Sequence, residues 1–343
     1  MDKDGVCVEV ILSLVGRMDL ETMKSFMVVN KNIQDIVRDN EITISAYQAQ
    51  QFLVPPTGRV LSSGYVRRRE LPSPSWALVS EMELRDSRID DTLTRHPEFI
   101  NLDSLPGMGP LIPEQKRRLL PLLRRAMCQC DAIADIAANV PWTPMNQATP
   151  EMDTRSLWAL AAQQGDQQII EEVDPYRKLH ARPKQIEYIK ALQLDDVAVL
   201  LFLANIGGVS WARKKNLSNA RAGGREQTIM FEEIVLRHGT WLIWVFCNEG
   251  TQTLLNEIVG AGMMELADWE NGEAYTLPGI KMTLMQQFKK LIKITDNVGD
   301  EGNVGAGDSI GAEENVGDEG SDAAMPLPLI VQVRRFVKEL ISV

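Results

Sequence analysis

The chain has 343 residues, 44% hydrophobic and 24% charged, a composition that can bury a sizeable core and excludes a wholly disordered polymer. Its net charge of −11 is concentrated: Asp296 to Asp322 hold nine acids and no base, leaving 36 bases against 38 acids elsewhere. The near-neutral remainder excludes a general electrostatic attraction, so neither nucleic acid nor a membrane is expected as a partner.

In chain order, the first element is Glu9–Val37. The leader before it, MDKDG, carries two acids and one base, and Val10–Gly16 is a charge-free run of only seven residues, unlike a secretory leader. Val10, Ile11, Leu14 and Met18 follow i, i+1, i+4, i+8, one face of a helix. Asp19 is placed to cap a second helix, with Glu21 favourably set in its first turn. Met23, Phe26 and Met27 repeat at i, i+3, i+4. Asn30 is placed to cap a third helix, in which Ile33, Ile36 and Val37 continue the spacing. Helices this short are not stable alone and must pack on one another or on a partner.

These residues resemble the F-box family, the small helical modules that bind the Skp1 adaptor of cullin–RING ubiquitin ligases. Glu9 takes the family's acidic position, Val10-Ile11-Leu12 its aliphatic run, and Leu14, Val15 and Met18 the next one. Met23, Phe26 and Val28 match the alternating leucines. Val29-Asn30-Lys31 matches Val-Cys/Ser-Lys, and Ile36-Val37 the closing pair. The chain departs from the family where Val6-Cys7 replaces Leu-Pro, Thr22 an acid and Ile33 an aromatic residue. The resemblance covers about 32 residues, under a tenth of the chain. It implies a three-helix module over residues 1–46 that binds a Skp1-like adaptor and, through it, a cullin. Val10, Leu14, Met23 and Phe26 would supply buried area or adaptor contact and Lys31 a polar anchor; Val6, Cys7, Met18 and Val29 complete the implied contact set.

Residues 47–112 are punctuated by Pro55, Pro56, Pro72, Pro74, Pro97, Pro106 and Pro110, a spacing that predicts an irregular connection with short helices. Tyr65–Arg69 is expected to be a solvated basic turn. A helical domain is expected over residues 113–295. It opens with Pro113 in a first turn, and Pro121 is expected to kink or split the run. Lys116, Arg117, Arg118, Arg124 and Arg125 form a charged helix side, with nuclear import or an acidic partner as the functional alternative. Cys128 and Cys130 are two apart in a helical run and point to different faces, against a metal or redox pair. With Cys7 and Cys247 they are too few and too scattered for a disulfide framework, so reduced thiols and an intracellular location, cytoplasmic or nuclear, are expected.

Ser156 to Pro175 has the rhythm of one ankyrin-repeat hairpin, without a second copy to stack on. The longest charge-free run, Val197 to Ala212, has sixteen residues, short of the ~20 that span a bilayer; a buried helix ended by Gly207-Gly208 is expected. The basic loop around Arg213–Arg225 is expected to be exposed, and Trp241 and Trp244 to pack in the core. Residues 296–325 repeat NVGDEG and are too acidic and glycine-rich to offset their ordering entropy, so a disordered linker is expected. In residues 326–343, Val333, Phe336, Val337, Leu340 and Ile341 share one face of an amphipathic segment expected to dock back on the core.

The fold is therefore expected to be all-α, a short N-terminal module followed by a larger irregular helical domain. The leading functional expectation is a non-catalytic adaptor that recruits an unknown protein target to an SCF-type ubiquitin ligase. The alternatives are a helical scaffold whose N-terminus belongs to its own core, and an enzyme with a helical active site. No catalytic residue, metal ligand or cofactor is picked out. His96, His180 and His238 are scattered, no His-Glu-x-x-His occurs, and Gly208–Ala212 lacks the final glycine of a nucleophile elbow. An uncovered apolar patch would favour the adaptor, and a deep pocket gathering Asp, Glu or His the enzyme.

Overall fold

The computed structural model describes residues 8–63, 69–140, 175–217, 224–248, 251–270, 279–300 and 328–342. Val6, Cys7, most of the Tyr65–Arg69 turn, the repeat-like stretch up to Asp174 and residues 301–327 of the acidic linker lie outside them. Helices make up 76% of the described residues, so the predominantly α expectation holds. They are α1 (Val8–Val15), α2 (Leu20–Val29), α3 (Lys31–Asp39), α4 (Glu41–Ala49), α5 (Trp76–Arg95), α6 (Pro113–Asp135), α7 (Pro175–Lys190), α8 (Leu194–Lys214), α9 (Gly224–His238), α10 (Thr240–Cys247), α11 (Gln252–Glu270), α12 (Ile280–Asp300) and α13 (Leu329–Leu340). The sheet among the described residues is one antiparallel pair, β1 (Val60–Leu61) and β2 (Glu70–Leu71), with Val60 opposite Leu71.

Apolar side chains gather in two clusters. The smaller joins Ile11, Val15, Leu20, Met23, Val37, Ile44, Ala49, Val60, Leu78 and Val79. It therefore does not stop at residue 46: α4, β1 and the first turns of α5 belong to it. Gln48 shows why, because its Nε2 donates to the Val15 and Met18 carbonyls at 3.1 and 2.7 Å and ties α4 to the end of α1. The larger cluster is built around α8, on which α6, α9, α12 and α13 pack. Every residue from Val197 to Ala204 is buried, as expected of a helix covered on all sides. That helix is long and apolar enough to cross a membrane, but 83% of its most apolar window is buried within this fold. Trp211 stacks on Phe231 at 4.9 Å, and Phe246 meets Phe231 and Phe99 at 5.6 and 5.5 Å.

Several expectations are corrected here. Residues 47–112 contain a long helix: α5 spans 20 residues, because Ser75 caps it by accepting the Leu78 N–H and Pro74 and Pro97 bracket it instead of breaking it. Helix α6 runs for 23 residues through Pro121. The lost donor and the ring clash there cost about 3 kcal/mol, offset by a stripe in which Leu119, Leu123, Ala126, Met127, Cys130 and Ile133 are all buried. Gly207-Gly208 does not end α8, which continues to Lys214. A Cβ on Gly207 would sit 3.1 Å from Val235 and one on Gly208 would sit 2.6 Å from Glu232, so the pair lets α9 approach. Helix α12 runs to Asp300, so the first five residues of the expected linker are helical.

The C-terminal segment docks back on the core. Val333, Val337 and Ile341 are buried, and Phe336 meets Phe288 edge-on at 6.0 Å. Its side chains also reach across the chain: Arg334 Nη2 donates to Asn205 Oδ1 at 2.8 Å, and Gln115 Nε2 donates to Ser342 Oγ at 3.1 Å.

Candidate partner-binding surface

Helix α1 carries two apolar stripes one residue apart. Ile11 and Val15 point inward, 2% and 0% exposed, and Val10 and Leu14 point outward, 54% and 49% exposed. Both pairs are spaced i, i+4, so each forms a continuous strip along the helix. On α2, Met23 is buried and Phe26 and Met27 are half-buried against the small core. Val28 and Val29 come five and six residues after Met23, which turns them off that face, and they are 86% and 76% exposed.

The implied contact set thus divides. Val10, Leu14, Val29 and Lys31 are exposed, Met18 and Phe26 are half-buried, and Met23 is a core residue that no partner could reach. Val6 and Cys7 lie outside the described residues. Four further exposed side chains in the same region, Val8, Ile42, Tyr47 and Leu53, were not singled out from the sequence. For Ile42 the signal existed, since it stands two residues before buried Ile44 on one short helix. In all, eight of the fourteen large apolar side chains exposed among the described residues fall between Val8 and Leu53. The starts of α2 and α3 are capped. Asp19 accepts the Thr22 N–H at 2.7 Å and Asn30 the Asn32 N–H at 2.7 Å, both as expected caps. A third acceptor comes from far along the chain: Glu83 of α5 takes the Leu20 N–H at 2.9 Å.

A cleft of about 110 Å³ opens where the small core meets the large one, lined among others by Arg59, Arg85, Cys128, Asp131, Asp135 and Tyr188. Its charges face one another. Arg85, 3% exposed, forks onto Asp135 at 2.6 and 2.9 Å, meets Glu81 at 2.9 Å and donates to the Leu61 carbonyl. Burial opposes the guanidinium charge, and Asp135, Asp131 and Glu81 overcome it and hold Arg85 protonated. Asp135 also accepts the Leu61 N–H at 2.8 Å. Burial raises the pKa of Asp131, whose two oxygens accept the N–H and hydroxyl of Thr240 at 2.8 and 2.7 Å. Asp131 thereby caps α10, whose own N-cap, Gly239, has no side chain to do so.

Two carboxylates with diverging environments are the pattern of acid–base catalysis. Here, however, every oxygen named already accepts a protein donor, and the cleft is well below the roughly 300 Å³ at which small-molecule sites begin. The network is a joint between β1, α5, α6 and α10. A second buried carboxylate has the same kind of role. Glu233 accepts the N–H groups of Ile280 and Lys281 at 2.8 Å each, capping α12 from α9. Burial would raise its pKa, but Arg237, Arg182 and those two N–H groups bring it down to about 2.

The remaining motifs are also spoken for. Arg117 and Arg118 pair with Glu114, Lys116 with Asp103, Arg124 with Asp86 and Asp90, and Arg125 with Asp196. The basic side of α6 is therefore largely neutralised within the chain. Cys128 and Cys130 are free, and burial pushes both thiols up, Cys128 to about 12. Trp241 is buried, and Arg88 lies over the Trp244 ring at 4.4 Å. Compared with known proteins, the chain matches no family model, no curated protein and no solved structure.

Proposed function

We propose that the N-terminal helices are a docking module for a Skp1-like adaptor and that the chain is a non-catalytic adaptor bringing a protein target to a cullin-based ubiquitin ligase. The observation that carries this reading is the concentration of exposed apolar side chains between Val8 and Leu53, on helices whose interior is already filled. Apolar side chains left in water cost hydration free energy, and contiguous groups of them are a feature of interaction surfaces. Val10 and Leu14 on α1 and Val29 at the end of α2 fall on positions that the F-box resemblance assigns to adaptor contact. Lys31, two residues after Val29, is exposed and available as the polar anchor.

The scaffold reading has one observation in its favour, the inclusion of α4, β1 and the start of α5 in the same small core. It also determines the choice of experiment. A deletion ending near Ala46 would cut α4 and open that core, so loss of binding would say nothing about the surface. The test is co-elution of the full chain with a purified Skp1-like adaptor, compared with V10D/L14D and with Val29→Asp. The proposal expects a one-to-one complex for the wild type, lost in V10D/L14D and weakened at least tenfold in Val29→Asp. If the wild type and the adaptor elute separately, or V10D/L14D binds as well as the wild type, the docking reading is wrong.

A further inference from the structure

A separate cluster of side chains lies where the C-terminal end of α5 meets that of α10. His96 is the C-cap residue of α5, Glu98 follows it in the loop, and Cys247 is the last residue of α10. One nitrogen of His96, the Cys247 sulfur and a Glu98 oxygen lie within 4.8 Å of one another. His96 Nδ1 is 2.5 Å from Glu98 Oε1, and its other ring nitrogen, Nε2, is 3.0 Å from Asp91 Oδ2. We propose that His96, Glu98 and Cys247 form a binding site for a zinc-class divalent cation that clips α5 to α10, with Asp91 orienting the imidazole.

The donor chemistry selects the class. One imidazole nitrogen, one sulfur and one carboxylate oxygen suit a borderline cation such as Zn²⁺ or Co²⁺; Mg²⁺ and Ca²⁺ prefer all-oxygen shells. A carboxylate on the far nitrogen of a ligating histidine is the usual outer support of such sites, since it fixes the tautomer and the ring orientation. With Nδ1 as the ligating atom, Asp91 on Nε2 holds that position, itself steadied by Arg95 at 3.2 Å. Tetrahedral bonds of about 2.0–2.3 Å place ligand atoms roughly 3.3–3.8 Å apart. Glu98, at the exposed rim, can close that difference by side-chain rotation, and a water from the open side completes four-coordination.

The electrostatics are compatible. The thiolate and the Glu98 carboxylate balance two positive charges. Lys214, whose Nζ sits 4.4 Å from the Phe246 ring and donates to the Phe246 carbonyl, is the nearby cation that favours the thiolate. Coordination forms the metal–sulfur bond as the thiol proton leaves to water.

The experiment is a titration of chelator-treated full-length protein with Co²⁺, following the thiolate-to-cobalt charge-transfer band and the tetrahedral visible bands. The proposal expects one equivalent to bind in the wild type and in C7S/C128S, no charge-transfer band in Cys247→Ser, and affinity at least tenfold weaker in His96→Gln and Asp91→Asn. Zn²⁺ at roughly a hundredfold excess over its Kd should raise the thermal midpoint of the wild type by about 5 °C and that of Cys247→Ser not at all. No band in the wild type, or a band that persists in Cys247→Ser, overturns the site. The readout is independent of adaptor binding, so failure of one reading leaves the other standing.

Discussion

The two cores handle apolar surface in opposite ways. Around α8 the chain, among the described residues, covers most of it: Val197 to Ala204 are buried without a gap, and the exposed apolar side chains of that region are scattered singly at Ile112, Ile229, Met282, Ile294 and Val331. Around α1 and α2 it covers half. Ile11, Val15 and Met23 fill a core while Val10, Leu14, Val28 and Val29, on the same short helices, stay in water. Both regions fold by the same hydrophobic burial. They differ in how many neighbours each helix has, and the small core has too few to cover both stripes of α1. The difference separates apolar residues that hold the fold from apolar residues that stay exposed on its surface.

Four changes would break or sharpen this contrast. The largest effect is expected where the cores join. Arg85→Met leaves Asp135 and Glu81 buried without their partner and should cost about 4 kcal/mol in chemical denaturation; it should also split one unfolding transition into two if Arg85 couples the cores. Met23→Ala, inside the small core, should cost about 3 kcal/mol as a cavity, seen as a lower urea midpoint at unchanged slope.

The third change acts on the large core through pH. Glu233 has its pKa lowered to about 2 in the folded chain, so its contribution is complete above the unfolded value near 4.3 and is lost as pH falls from there through about 2. It amounts to about 3 kcal/mol. Glu233→Gln should flatten the acid limb of the stability profile by that amount, and an acid limb identical to wild type would exclude the assignment. The smallest stability effect belongs to V10D/L14D, below about 0.5 kcal/mol, although the same variant is expected to lose the adaptor. A large stability loss there would mean that the outer stripe is core after all.

Much of the fold was legible from residue spacing. Most helix-forming runs other than α5, the caps at Asp19 and Asn30, the buried character of Val197–Ala212 and the docking face of the last helix follow from local chemistry along the chain. The errors share one cause. Pro121, expected to kink or split its run, does not split it, and Gly207-Gly208 does not end its helix, because the packing stripe beneath the proline and the approach of α9 over the glycines decide the outcome.

Helix starts tell the same story. Thr240 is capped by Asp131 of α6, Ile280 and Lys281 by Glu233 of α9, Leu20 by Glu83, and Trp76 by Glu41. Apart from Asp19 beside Leu20 and Ser75 beside Trp76, these acceptors stand far from their donors in sequence, so no window along the chain contains them. His96, Glu98 and Cys247 come together in the same way, across about 150 residues.

By itself the sequence determined most of the helical runs and which residues are apolar, since both depend largely on neighbours within four positions; the length of α5 and the continuation of α8 through its glycines were not among them. It placed Val10 and Ile11 on one apolar face and could not choose between them. Only the tertiary structure made that choice, when Gln48 fastened α4 across the end of α1 and turned Ile11 and Val15 inward. Two adjacent stripes about 100° apart on one helix have nearly equal hydrophobicity, and which of them meets water is decided by the position of the neighbouring helix.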